Sequence, residues 1–333
     1  MKLSRINRGG VDGPVPRLVV VKPDEGRVVD LVSAEKLRLM RKGATSAGAL
    51  FRASGLFPGS MAQAISTGSA FLESAAETVA ATGDDASIEF SNVEWIAAVD
   101  PPMLRDCFAF VAHLEAYYRG VGQEISPVHY RQPGYYKGTN ARCFGHEARI
   151  PWPHYSDFVD YECEIGFVVG RECHNVDPDE AGKAIFGLTI FNDYSARDCQ
   201  TDELTMSMGP TKCKDFANGI GPWVTTIDEF DDLSALEMTV RINDKECGRG
   251  ISSGMQWLPE ELLAYISQGD VVQPGDVFGS GTVGNGCGLE SGVRVKPGDV
   301  IALEISGIGV LRQVLGQKEE RGWRPIPRER NVI

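Results

Sequence analysis

Short apolar runs separated by turns that contain Gly and Pro dominate the chain beyond residue 129. Five of these runs are VDYECEIGFVVG, AIFGLTIFND, LEMTVRIND, DVIALEIS and GIGVLRQVLG. Short apolar runs with turn residues on both sides are typical of β-strands. The pattern therefore predicts a mainly β domain over residues 129 to 333, and we expect this domain to carry the chemistry.

The first hundred residues follow a different pattern. Strands are predicted in RLVVVKP and GRVVDLVS, and helical spacing of apolar residues occurs in AEKLRLMRKG and MAQAISTGSAFLESAAETVAATG. We expect a small N-terminal α/β lobe over residues 1 to 100 and a connecting segment over residues 101 to 128. The predicted fold class is α+β, mainly β.

The connecting segment contains DPPMLRDCFAFVAHLEAYYRG, in which apolar residues recur with helical spacing after two prolines. Asp106 and His113 are seven residues apart, so on one helix they would lie about 20° from eclipsed. One interpretation is that an acid and a base share a helix face at a site. The other is a first-turn aspartate favoured by the helix dipole and a histidine with ordinary hydrogen bonds.

The chain has 333 residues and a formal net charge of −13, which disfavours nucleic acid or an anionic membrane as a partner. It has neither an apolar run of about 18 residues nor the apolar core of a signal peptide, and we expect a cytoplasmic protein. The eight cysteines include no C-x-x-C pair and the five histidines no H-E-x-x-H. These absences argue against a zinc cage and for a reducing compartment.

The stretch YECEIGFVVG begins with two glutamates, Glu162 and Glu164, and continues as an apolar strand. Because side chains alternate along a strand, both carboxylates point to one face, roughly 7 Å apart, and Cys163 points to the other. Either solvent screens the two charges at an exposed edge, or a cation lies between them.

The stretch FNDYSARDCQ places Asp193 where another apolar strand ends. Taken alone, Asp193 could be a turn residue or a helix N-cap. Together with the earlier acids it completes a set of four carboxylates without a soft ligand, which suits Mg²⁺, Mn²⁺ or Ca²⁺. The set is Asp106, Glu162, Glu164 and Asp193.

The hexapeptide GSGTVG, residues 279 to 284, matches the G-x-G-x-x-G pattern of dinucleotide-binding proteins. That pattern binds pyrophosphate only where it opens a helix inside a βαβ unit. Here the chain continues as NGCGLESG, without helical periodicity. We therefore reject a nucleotide site.

Residues 104 to 315 resemble the fumarylacetoacetate hydrolase family. The resemblance rests on DCFAFVAH, YYKGT, DYECEIGFVVG, GLTIFNDYSARDCQ, KDFANGIGPW, QPGDVFGSGTVG and KPGDVIALEISGIGVLRQVL, which occur in the family's order. The resemblance implies a mixed β-sandwich roll, a homodimer and a divalent cation, most simply Mg²⁺, held by aspartate and glutamate.

The resemblance also implies roles for individual residues. Glu162, Glu164 and Asp193 match the metal ligands, with Asp106 joining them. His113 matches the histidine that activates water, and Glu290 matches the glutamate that orients it, since Glu115 is out of phase for that role. The residues implied to contact substrate are Gln200, Lys214, Thr282 and one of Tyr135 and Tyr136.

The expected function is hydrolysis of a C–C bond in a small 1,3-diketo acid or acylpyruvate from the breakdown of aromatic compounds. Lys214 and Gln200 would stabilise the developing oxyanion or hold a substrate carboxylate. A first alternative keeps the metal site and uses it for decarboxylation, dehydration or isomerisation of a keto acid. A second is a binding module without activity, against which His113 argues because a binder needs no base beside the metal.

Overall fold

The computed structural model describes residues 1–10, 13–120 and 122–328, so the last five residues of the predicted catalytic domain lie outside it. The strands are β1 Lys2–Arg8, β2 Val15–Lys22, β3 Arg27–Asp30, β4 Ser87–Glu89, β5 Glu94–Trp95, β6 Leu104–Cys107, β7 Tyr135–Gly138, β8 Cys143–Phe144, β9 Arg149–Trp152, β10 Val159–Asp160, β11 Cys163–Val169, β12 Ile185–Asn192, β13 Ser195–Ala196, β14 Asn218–Thr226, β15 Glu237–Ile242, β16 Lys245–Ile251, β17 Val277–Gly279, β18 Val300–Ile305 and β19 Gly309–Lys318. The α-helices are α1 Leu31–Arg41, α2 Ser46–Leu56, α3 Met61–Ile65, α4 Ser69–Thr82, α5 Val111–Gly120, α6 Pro178–Gly182, α7 Arg197–Thr205, α8 Pro259–Ser267 and α9 Gly288–Ser291.

Two mixed sheets form the body of the protein. The larger has the order β4-β3-β2-β1-β14-β12-β11-β17-β6-β7, with β5 paired to β1 and β8 to β14. The smaller has the order β16-β15-β18-β19-β9. The predicted α+β, mainly β fold class is confirmed, and so is a strand in each of the five apolar runs.

The two faces of β11 show how the layers pack. Its odd-numbered residues, such as Ile165 and Phe167, join a core that includes Val240 of β15 and Leu303 of β18, between the two sheets. On the other face, Val168 joins a second core with apolar residues of α2 to α4. A strand buried on both faces is an almost continuous apolar run, which explains the GFVVG sequence.

The N-terminal segment shares its sheet with the predicted catalytic domain. Strand β1 pairs antiparallel with β14 through Lys2↔Thr225 and Leu3↔Val224. The sequence analysis did not predict β1, because KLSRINR lacks a clear apolar alternation. The division into a lobe, a connecting segment and a catalytic domain stays a prediction. The larger sheet contains strands from all three of these predicted parts.

The connecting segment is not one helix. Asp106 lies on strand β6, opposite Gly279 of β17 and Tyr136 of β7, and the helix begins only at Val111. The prediction that Asp106 and His113 share a helix face is therefore wrong. Pairing on both sides of β6 satisfies its backbone, so tertiary contacts override the helical spacing of LRDCFAFVAH.

Among the described residues, no helix is both long and apolar enough to cross a membrane.

Candidate active site and metal centre

Three carboxylates from separate strands meet at one end of the larger sheet. Asp106 comes from β6, Glu164 from β11, and Asp193 directly follows β12. Each offers an oxygen within 4.8 Å of the others, and all three side chains are buried. The structure thus brings together three of the four carboxylates in the predicted set.

Glycines on the strand between β11 and β6 make this approach possible. Gly279 of β17 lies opposite Asp106 on one side and Gly166 on the other, and a Cβ at Gly279 would clash with the carboxylates of Asp106 and Glu164. Gly281 then adopts a φ of 82° and donates its N–H to Glu164 Oε2 at 3.0 Å. The GSGTVG segment therefore leaves room for the carboxylates of Asp106 and Glu164 and donates a hydrogen bond to Glu164.

Among the described residues, Asp106 and Glu164 have no cationic partner, and Asp193 shares the cation of Lys214 with Glu162. Burial, together with the neighbouring carboxylates, raises the pKa of Asp106 and of Glu164 well above the ordinary values. Burial also raises the pKa of Asp193 to about 6, although Lys214 opposes the shift. Within the part of the chain that the structure describes, Asp106 Oδ1 and Asp193 Oδ1 are buried without a hydrogen-bond partner. Unpaired carboxylate oxygens that face one another fit a hard divalent cation.

A second group of acids beside this cluster is paired with cations. Arg197 Nε donates to Asp160 Oδ2 at 2.9 Å, and its Nη2 lies 2.8 Å from both Asp160 Oδ2 and Glu162 Oε1. Lys214 Nζ donates to Glu162 Oε2 at 2.6 Å and also to Asp193. Burial alone would raise the pKa of Glu162, but Lys214 and Arg197 outweigh it and lower the pKa. Glu162, predicted as a metal ligand, thus lies in an ion-pair network next to the three-carboxylate cluster.

The predicted pair of His113 and Glu290 is present. His113 on α5 is hydrogen-bonded through Nδ1 to Glu290 on α9, and Glu115 instead accepts a hydrogen bond from Tyr130 at 2.5 Å. Asp160 holds α9 in place, since its carboxylate accepts from Gly288 N at 2.8 Å and Leu289 N at 3.1 Å. A carboxylate on Nδ1 fixes the imidazole so that Nε2 carries the basic lone pair.

A cavity of about 220 Å³ opens beside the carboxylates, and His113, Gln200, Lys214, Thr282 and Tyr136 all line it. Gln200 Oε1 accepts from Arg197 Nη1 at 3.0 Å, which leaves the Gln200 amide N–H groups for a ligand. Tyr136 donates to Asp193 Oδ2 at 2.7 Å. Tyr135 points to the other face of β7 and packs against Tyr265, so the geometry selects Tyr136.

Sequence reasoning missed two residues of this site, Arg197 and Asp160. Arg197 lies within the quoted stretch FNDYSARDCQ, and Asp160 lies two residues before Glu162. The period of two that grouped Glu162 with Glu164 also puts Asp160 on the same face, so this alternation could have found it. No comparable spacing marks Arg197.

Comparison with known proteins assigns the family. Residues 104–315 match the profile of the fumarylacetoacetate hydrolase C-terminal domain, so the chain belongs to this family. An uncharacterized protein of Archaeoglobus fulgidus is 31% identical over 205 residues, which cover 61% of this chain and 74% of that protein.

Solved structures share the fold at low sequence identity. Maleylpyruvate hydrolase from Sphingobium sp. SYK-6, in complex with manganese(II) ion and pyruvate, aligns with a TM-score of 0.68 at 20% identity, over 96% of this chain and all of that one. A 5-carboxymethyl-2-hydroxymuconate delta-isomerase from Mycobacterium smegmatis aligns with a TM-score of 0.66 at 22% identity and the same coverage. One fold therefore carries proteins named for different reactions.

Proposed function

We propose that this protein is a metal-dependent hydrolase that cleaves a C–C bond in a small 1,3-diketo acid or acylpyruvate. The observation that carries the proposal is the His113–Glu290 pair in the same cavity as the three-carboxylate cluster. A divalent cation, Mg²⁺ or Mn²⁺, held by Asp106, Glu164 and Asp193 would polarise a keto oxygen as a Lewis acid.

The side chains suit a hydrolytic cleavage. His113 takes a proton from water at Nε2, and Glu290 stabilises the imidazolium that forms. The water oxygen bonds to the acyl carbon, the C–C bond breaks, and its electron pair leaves in the enolate of the keto acid, which then takes up a proton. The Gln200 amide and the Lys214 ammonium stabilise the negative charge, and both act more strongly in a cavity that excludes water.

Replacement of the base tests this reaction. His113→Ala should lower kcat by roughly a hundredfold to ten-thousandfold, the usual contribution of a general base, and leave Mn²⁺ affinity nearly unchanged. Glu290→Gln should lower kcat less, because it keeps a hydrogen bond to the imidazole and loses the charge. His174→Ala, at an exposed histidine outside the cavity, is the matched control.

Solvent labelling separates hydrolysis from the alternatives on the same site. Turnover of an acylpyruvate in ¹⁸O-labelled water should place label in the released carboxylate, because the attacking oxygen comes from solvent. Decarboxylation or isomerisation would not introduce it. Near-normal cleavage by His113→Ala, cleavage without label, or full activity after chelation would contradict the proposal.

The family resemblance also supports a homodimer, a cytoplasmic location and a substrate from aromatic catabolism. Light scattering tests the dimer directly. The expected mass is twice the 36.2 kDa of one chain, and a single-chain mass at micromolar concentration would contradict it.

A further inference from the structure

The cavity beside the carboxylates has two chambers that meet at His113, Tyr117, Arg197, Gln200 and Leu289. The first, described above, contains the carboxylate cluster. Its remaining wall is apolar or aromatic and includes Phe108, Leu114, Tyr117, Tyr118, Leu204 and Leu289. The second chamber, of about 450 Å³, is bordered by the acids Asp198 and Glu290. A ligand that reaches away from the carboxylates thus meets either apolar side chains or further acids.

The wall of the first chamber away from the carboxylates carries no lysine or arginine among the described residues. Among the described residues, the lysine and arginine side chains that line either chamber are Arg197 and Lys214. Both are ion-paired with buried acids, as described above. Burial lowers the pKa of His129, on the wall of the first chamber, which favours its neutral form. Arg119, near the end of α5, and Arg131 are exposed and lie outside both linings.

These surroundings distinguish between two kinds of keto acid. One carboxylate can be held near Lys214, Gln200 and the metal. The far wall is partly open to solvent, since Leu204 and Leu289 are 42% and 40% exposed. A second carboxylate there would lose part of its hydration without gaining a cation, which disfavours it. An alkyl or aromatic end would instead cover apolar surface and release water from it.

We infer that the substrate is a keto acid with a single carboxylate and an apolar tail, and that the tail lies in the first chamber against Leu114 and Leu204, which line that chamber and not the second. This inference rests on the proposed function only in taking a keto acid as the ligand. It distinguishes the protein from relatives whose names denote dicarboxylates. Leu204 and Gln200 are four residues apart on α7 and share a helix face. Helix α7 therefore positions both Gln200, which is expected to bind the polar end of the ligand, and Leu204, which contacts the tail.

A binding series tests the inference without requiring turnover. The ligands are 2-oxohexanoate and 2-oxoadipate, which share a six-carbon chain and differ in a terminal methyl or carboxylate, together with 2-oxobutanoate and 2-oxopentanoate. Titration calorimetry on the Mn²⁺-loaded protein should show roughly fourfold tighter binding for each added methylene. 2-Oxoadipate should bind at least roughly tenfold more weakly than 2-oxohexanoate.

The series separates this inference from the proposed hydrolysis. Equal or tighter binding of 2-oxoadipate would overturn the apolar tail and leave the hydrolase intact. A preference for 2-oxohexanoate in a protein that cleaves no diketo acid would keep the tail and overturn the hydrolase. A loaded protein that binds none of the four would overturn both.

A single substitution should reverse the preference. Leu204→Arg places a cation on the wall of the first chamber and should favour 2-oxoadipate over 2-oxohexanoate. Met206→Arg is the matched control, because Met206 lies two residues further on, is 65% exposed and lines neither chamber. Arg294 stacks on Phe158 of the second chamber. If Leu204→Arg had no effect while Arg294→Ala changed the preference, the tail would lie in the second chamber and the inference would be wrong.

Discussion

Asp160, Glu162 and Glu164 alternate along one stretch of chain, with Asp160 on β10, Glu162 between the strands and Glu164 at the start of β11, yet their surroundings are opposite. Asp160 and Glu162 are paired with Arg197, and Glu162 also with Lys214. Glu164, two residues further on, faces Asp106, and its donors among the described residues are the neutral groups Gly281 N and Thr282 Oγ1. The pKa of Glu162 is lowered, whereas burial and Asp106 raise the pKa of Glu164.

This difference separates two uses of a buried acid. A carboxylate that is paired with cations holds Arg197 and Lys214 at the wall of the cavity and needs nothing further. A carboxylate beside another carboxylate is costly until a cation binds. Within these five residues the chain thus passes from acids that hold the wall of the site to an acid that suits a cation, and changing Glu to Gln should have opposite effects at Glu162 and Glu164.

The largest expected effect is loss of stability in Glu162→Gln. The amide would turn an N–H group toward Lys214 or Arg197 and break a buried ion-pair network, at a cost of about 3 kcal/mol. Urea unfolding of the chelator-treated protein measures this change. The opposite result would be a Glu162→Gln variant that is as stable as the parent and loses as much Mn²⁺ affinity as Glu164→Gln. That result would place Glu162 with the metal ligands instead.

Glu164→Gln should act on metal affinity. Removing one anionic ligand should weaken Mn²⁺ binding by roughly a hundredfold, or about 2.7 kcal/mol. The metal-free variant should be at least as stable as the parent at pH 8, because the repulsion with Asp106 is gone. Titration calorimetry and urea unfolding measure the two effects, and a strongly destabilised metal-free variant would show that Glu164 is already compensated within the protein.

The sequence was sufficient for the strands and for the types of ligand, because apolar runs and alternation are local properties. It predicted Glu162 and Glu164 on one face and Asp193 at a strand end; in the structure both glutamates line the cavity, and Asp193 directly follows β12. It could not show that Arg197 and Lys214 reach Glu162, since Lys214 is 52 residues from Glu162 along the chain. It also misplaced Asp106, because pairing with β17 and β7 depends on segments distant in sequence. The metal-binding character of each acid is set by such long-range neighbours.

The stability of the metal-free protein should fall as the pH rises. The folded-state pKa of Asp193 is raised to about 6, and those of Asp106 and Glu164 shift in the same direction. A raised folded pKa gives stability that is complete below the ordinary pKa and is lost as the pH rises through the folded value. The expected loss between pH 4 and 7 is on the order of 2 kcal/mol.

Metal should remove this pH dependence, because bound carboxylates are already ionised. The difference in Tm between Mn²⁺-loaded and chelator-treated protein should therefore grow from pH 5 to pH 7. Glu164→Gln should flatten the profile of the metal-free protein. If loaded and metal-free protein lost stability in parallel over this range, other groups would control the pH response.

The smallest effect is expected for Thr282→Val, which tests the neutral donors around Glu164. The Thr282 hydroxyl lies 3.4 Å from Glu164 Oε1, a long hydrogen bond, and valine keeps the shape of the side chain. Because Gly281 N still donates to the same carboxylate, Mn²⁺ affinity should fall only about threefold, roughly 0.7 kcal/mol. A loss as large as that of Glu164→Gln would mean that the Thr282 hydroxyl contacts the metal itself. An unchanged affinity would mean that the backbone N–H of Gly281 alone orients Glu164. The difference in pKa between Glu162 and Glu164 would then depend entirely on which of the two carboxylates faces Arg197 and Lys214.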